Sequence, residues 1–117
     1  MRVAENDHFI GKFPIVQDIY KKLMKEVLAL GKVHVSAVKQ GIMVVSRSTF
    51  LAIKPKKAWL DIEFLLDEEV NEYPIHKVFR ANKSRVAHFV RLEHPREVNK
   101  RLLGWLKRAY TVTSSGC

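Results

Sequence analysis

The chain has 117 residues, 47% of them hydrophobic, enough to bury roughly two thirds of its unfolded surface in a single core and too apolar for wholesale disorder. Its 21 Lys and Arg against 12 Asp and Glu leave a net charge of +9, which favours anionic partners such as nucleic acid or an acidic protein. No apolar run approaches the ~20 residues of a membrane span, the start MRVAENDHF lacks a signal-peptide core, and the single cysteine, Cys117, excludes an internal disulfide. The expectation is a cytoplasmic protein with no membrane contact.

Residues 1–13 read as an extended lead-in, with Phe9 and Phe13 as anchors. Pro14 suits a first helical position, where its missing N–H costs nothing. Val16, Ile19, Tyr20, Leu23, Val27 and Leu30 then recur at helical spacing, and Gly31 offers a C-cap. Residues 33–38 alternate as a strand, Gly41 turns into a second at 42–46, and Arg47-Ser48 turns into a third at 49–54. The Pro55 turn leads to residues 58–66. There Ala58, Leu60, Ile62, Phe64 and Leu66 share one face, and Trp59, Asp61 and Glu63 the other, the pattern of a half-buried strand. This strand is expected near the centre of the sheet. The acidic run Asp67-Glu68-Glu69-Val70-Asn71-Glu72 reads as a solvated loop.

Residues 75–81 and 85–92 form a last hairpin around Asn82-Lys83-Ser84. Pro95 opens a second helix, with Val98, Leu102, Trp105, Leu106 and Ala109 facing inward, and residues 111–117 read as a flexible polar tail. The expected fold is α+β: an antiparallel β-sheet of five or six strands flanked by an N-terminal and a C-terminal α-helix, in a single domain over 14–110.

Several of these stretches together resemble a bacterial family, the domain of unknown function numbered 5655. They are His8-Phe9-x-Gly11-Lys12, Leu30-Gly31, Phe50-Leu51-Ala52-Ile53-x-Pro55, His88-x-Val90-Arg91-Leu92 and Leu102-Leu103-x-Trp105-Leu106-x-x-Ala109-Tyr110. The resemblance spans about residues 8–110 and implies an α+β fold. In that family the domain often follows a small helical module, whereas here it is expected to stand alone, with a shorter acidic loop. The resemblance implies no activity, cofactor or catalytic residue.

The cations cluster. Lys100, Arg101, Lys107 and Arg108 surround Gly104 on the last helix, Lys77, Arg80, Lys83 and Arg85 crowd the final hairpin, and Lys54, Lys56 and Lys57 crowd the turn before the central strand. A surface built from Lys100, Arg101, Lys107, Arg108, Arg80, Lys83 and Arg85 would bind phosphates, with Trp59 as a stacking platform for a base. The alternative for such cations is a merely solvated helix face and turn. A second reading is a small-molecule sensor with an apolar pocket lined by Tyr20, Phe64, Trp105 and Tyr110, which could equally be plain core. A third is a metal-dependent nuclease through Asp61 and Glu63, although its usual Glu-x-Lys companion is missing and cross-strand pairing with Lys or Arg is the simpler use.

No His-x-x-x-His or Cys-x-x-Cys pair suggests a metal site, and His88, sharing a face with Val86, Val90 and Leu92, reads as a hydrogen-bonded core histidine. No Gly-x-Ser-x-Gly or phosphate-cradling glycine loop occurs. The expected function is therefore a non-enzymatic binding module for an anionic partner, nucleic acid first. Residues 33–38, as an exposed edge strand, could pair with a second copy.

Overall fold

The first helix, α1 (Pro14–Leu28), buries Val16, Ile19, Tyr20, Leu23, Met24 and Val27 along one stripe, as the apolar spacing dictates. It stops earlier than Gly31. Ala29 caps it, donating its N–H to the Glu26 carbonyl at 3.2 Å, and Leu30 donates to the Val27 carbonyl at 3.1 Å. Gly31 serves a different purpose: its φ is +153°, and a Cβ there would collide with the Tyr110 hydroxyl on the second helix. The computed structural model describes residues 4–114; residues 1–3 of the lead-in and 115–117 of the tail, Cys117 among them, lie outside the described residues.

Six strands follow: β1 (His34–Val38), β2 (Gly41–Val45), β3 (Thr49–Pro55), β4 (Leu60–Leu66), β5 (Ile75–Asn82) and β6 (Arg85–Leu92). They form one antiparallel sheet in the order β1-β2-β3-β4-β6-β5, closed by a second helix, α2 (Lys100–Ser114). The fold is α+β, with β4 inside the sheet and β1 at its edge.

Period-two alternation gives the sheet two unlike faces. On one, Leu51, Ile53, Ile62, Phe64, Val90 and Leu92 are fully or almost fully buried and join the buried stripes of both helices in one core. A bulge beside Val44 and Val45 lets Phe50 turn to the same side, where its ring meets Tyr110 of α2 edge-on at 5.6 Å. The other face stays open to water. Its central row reads Ser36–Met43–Ala52–Glu63–Phe89–Lys77 across all six strands, and the next row carries Lys54–Asp61–Arg91.

Because β6 lies between β4 and β5, residues 67–74 must travel back along β6: β4 ends opposite Val86, and β5 begins opposite Val90. This crossover runs on the helix side. Val70 is buried and donates its N–H to Nε2 of His88, whose ring stacks on Phe64. The acidic run is therefore docked through Val70, while Asp67, Glu68, Glu69, Asn71 and Glu72 are exposed.

Three boundaries differ from expectation. The lead-in is not extended: Glu5–Phe9 is a 3-10 helix, tied down by Tyr20 Oη donating to Glu5 (2.6 Å), by His8 Nε2 at the Val38 carbonyl (2.7 Å) and by Phe9 against the Tyr20 ring (4.9 Å). Phe13 is half exposed and anchors little. Pro95 opens a single 3-10 turn, Pro95–Glu97, whereas α2 starts after Asn99, the true N-cap, whose Oδ1 accepts the Leu102 N–H at 3.1 Å. At its far end α2 runs on to Ser114, into the stretch read as a polar tail.

Candidate functional site

On a helix surface the neighbours of a residue lie three and four positions away. For Gly104 these are Lys100, Arg101, Lys107 and Arg108, so four cations ring one glycine over about 12 Å of helix axis. Gly104 is exposed, and a Cβ placed on it would meet no atom within 4 Å. Packing does not require a glycine here, yet in a helix interior glycine costs about 1 kcal/mol relative to alanine. Its consequence is a notch of bare backbone at the centre of the positive ring. The notch opens on one side into a groove of about 380 Å³ towards Asp67 and Glu68. On the other it opens into a groove of about 310 Å³ towards Glu26, Ala29 and Leu30 at the end of α1.

The crossover lies along one flank of the ring. Arg108 Nη2 is 3.0 Å from Glu68 Oε1 and 3.9 Å from Asp67 Oδ1, and Arg101 Nη1 donates to the Tyr73 carbonyl at 3.0 Å. These are exposed pairs, each worth under about 1 kcal/mol, and a stronger anion can displace them. The ammonium groups of Lys100 and Lys107 have no acidic partner among the described residues. The crossover itself is held from below by His88. Its Nε2 accepts from Val70 N–H at 3.0 Å and its Nδ1 donates to the Val86 carbonyl at 3.0 Å, an arrangement that needs the neutral ring. Burial lowers the His88 pKa, outweighing the hydrogen bonds and the Glu69 charge that favour protonation.

The hairpin cations are only partly drawn to this surface. Arg85 Nη2 reaches the Val112 carbonyl at 3.2 Å and brings the hairpin end against the last turn of α2, where a cation complements the helix dipole. Arg80 folds back on its own turn, bonding the carbonyls of Asn82 and Lys83. Lys83 is exposed at the tip.

Trp59 is on the other side of the molecule. It sits in the bend before β4, half-buried rather than exposed, with the Arg91 guanidinium 4.3 Å from its ring centroid and its Nε1 buried without a hydrogen-bond partner. The ring face that was to stack a base is covered by an arginine.

That open face has a groove of its own, about 260 Å³, lined by Lys54, Lys56, Asp61, Glu63, Lys77 and Phe89 among others. Asp61 Oδ1 is buried without a hydrogen bond, and its nearest cation, Arg91 Nε, is 3.8 Å away, so the carboxylate does pair across the strands, loosely. Lys77 Nζ lies 5.1 Å from the Phe89 ring centroid, a contact worth about 0.5–1 kcal/mol at an exposed site. A stacked base is worth about 1–3 kcal/mol, enough to take its place. Phe89 and Arg91 escaped the sequence reading. Their signal is the alternation of 85–92, which sends Ala87, Phe89 and Arg91 opposite the buried Val86, His88, Val90 and Leu92.

Of the four aromatics of the sensor reading, Tyr20, Phe64 and Trp105 are buried in the core and Tyr110 packs against it, half-buried. Phe64 stacks on Trp105 at 6.2 Å, Tyr110 packs edge-on against Phe50, and Tyr20 lies between Phe9 and Glu5. For the nuclease reading, no three His, Cys, Asp or Glu side chains gather as metal ligands among the described residues. No helix among them is long and apolar enough to cross a membrane.

A family profile described as "Domain of unknown function (DUF5655)" matches residues 5–113, and the chain belongs to that family. No curated protein and no solved structure matches it.

Proposed function

Starting from a DUF5655 domain whose family supplies no activity, we propose that this protein is a non-enzymatic module that binds the phosphate backbone of nucleic acid on the outer surface of α2. The observation that carries this reading is the ring of Lys100, Arg101, Lys107 and Arg108 around an exposed glycine that packing does not require. A bare helix backbone admits a phosphate closely, arginine forks match its oxygens, and lysines add field. Arg85 and Lys83 extend the positive surface past the end of the helix, and the net charge of +9 draws a polyanion towards it. Four cations spread along the helix suit a repeating polyanion better than a single carboxylate.

Fluorescence anisotropy of a labelled oligonucleotide tests this. Four contacts predict a slope of log K against log salt of roughly −3. In Lys100→Glu/Lys107→Glu the affinity at low salt falls at least a hundred-fold and the slope is roughly halved. Wild-type affinity in that variant would reject the α2 surface.

A further inference from the structure

The open face of the sheet holds a second site, on the layer opposite α2 and independent of it. We propose that the groove over β3, β4, β5 and β6 binds a nucleotide unit through its base, with a preference for guanine.

Three features converge there. The first is the Phe89 ring, a flat apolar wall covered by one lysine through a single contact at 5.1 Å. The second is the groove's pair of carboxylates. Asp61 and Glu63, two apart on β4, project from the same face into the groove. Asp61 has Arg91 as its ion-pair partner at 3.8 Å, whereas the Glu63 carboxylate has no hydrogen bond or ion pair among the described residues. The Glu63 carboxylate is therefore the one left to meet a ligand's donors, since Arg91 is already engaged by Asp61 and Trp59. The third is the set Lys54, Lys56 and Lys77, which line the same groove and supply cations suited to a phosphate.

An ionised carboxylate is acceptor-only. It therefore selects a base by donors. Guanine presents two adjacent donors, N1–H and N2–H₂, which match the two oxygens of one carboxylate as an arginine fork does. Adenine and cytosine set a ring acceptor beside their amine, which repels the second oxygen. Uracil has one N–H between two carbonyls. The groove, about 260 Å³, is slightly below the usual range of ligand pockets, so one nucleotide unit fits it better than a larger ligand. Such a unit can come from a free nucleotide or from a strand.

Isothermal titration of the full chain with the 5′-monophosphates of guanosine, adenosine, cytidine and uridine, and with inorganic phosphate, tests the site. Guanosine monophosphate is expected to bind at least ten-fold tighter than the uridine and adenosine forms. Glu63→Gln is expected to erase that preference, Phe89→Leu to weaken every base, and Phe89→Tyr, which keeps the ring, to retain binding. Melting curves of each variant separate a lost site from a lost fold. A single-guanine oligonucleotide that binds more tightly than the mononucleotide, and loses that binding in Glu63→Gln, assigns the site to strands; the reverse order assigns it to free nucleotides. Equal binding of all four bases and phosphate, wild-type binding in both Glu63→Gln and Phe89→Leu, or no binding at all, overturns the proposal.

Discussion

The two faces of the sheet hold their cations in opposite ways. On the helix side, Lys100, Arg101, Lys107 and Arg108 stand on a helical lattice around an empty position, and two of them are engaged by a crossover segment through exposed pairs. On the open side two cations are held within the sheet: Arg91 lies between Trp59 and Asp61, and Lys77 lies over Phe89. A net charge of +9 describes both and distinguishes neither. What distinguishes them is how much must be displaced before a ligand can be met. On α2 it is a carboxylate or a carbonyl worth under about 1 kcal/mol, whereas on the sheet it is an aromatic contact that only another ring replaces well.

The contrast can be broken most forcefully through His88, which supports the crossover from beneath. His88→Ala leaves the Val70 N–H and the Val86 carbonyl without their partners and opens a void beside Phe64, so urea unfolding should show a loss of about 3 kcal/mol. An unaltered midpoint would mean that the crossover does not depend on this histidine. Acid acts on the same contact. Burial holds the His88 pKa below its ordinary 6.5, so the unfolded chain binds the extra proton first as pH falls. The stability due to neutral His88 is complete above pH 6.5 and is lost progressively below it. Melting temperatures from pH 7 to pH 5 should drop more steeply for the wild type than for His88→Ala.

A smaller change sharpens the contrast instead. Glu68→Gln frees Arg108 from its 3.0 Å partner and should raise oligonucleotide affinity a few-fold, while costing less than about 1 kcal/mol of stability. A fall in affinity would mean that the acidic segment assists binding instead of competing with it.

Much of the fold was legible because local periodicity carries it. The stripes of α1 and α2 and the alternation of β4 follow from spacing alone: Leu102, Trp105, Leu106 and Ala109 are buried as their period requires, whereas Val98 is buried from the turn ahead of the helix. The order of strands was not legible. Nothing local in 67–74 says that the chain passes over β6 before forming β5, and that passage turns an acidic loop into a partner for Arg108. Trp59 was misplaced for a related reason: alternation assigned its face, but Arg91, 32 positions later in sequence, decides that the ring is covered. The start of α2 was misread at Pro95, which opens only a 3-10 turn; Asn99 is the cap, its side chain accepting the Leu102 N–H. As for the site, the ring around Gly104 was readable from spacing, whereas the void above the glycine and the second groove require the packed sheet.

The most direct test of the α2 surface is Gly104→Ala, followed by thermal melting and oligonucleotide anisotropy on the same preparation. An alanine meets nothing at this position and removes a helix penalty of about 1 kcal/mol, so the protein should melt several degrees higher. The methyl group also fills the notch between the four cations, so affinity should fall several-fold although every charge is kept. A variant that is both more stable and weaker in binding fits a backbone notch kept for a phosphate. Higher stability with undiminished affinity would contradict it.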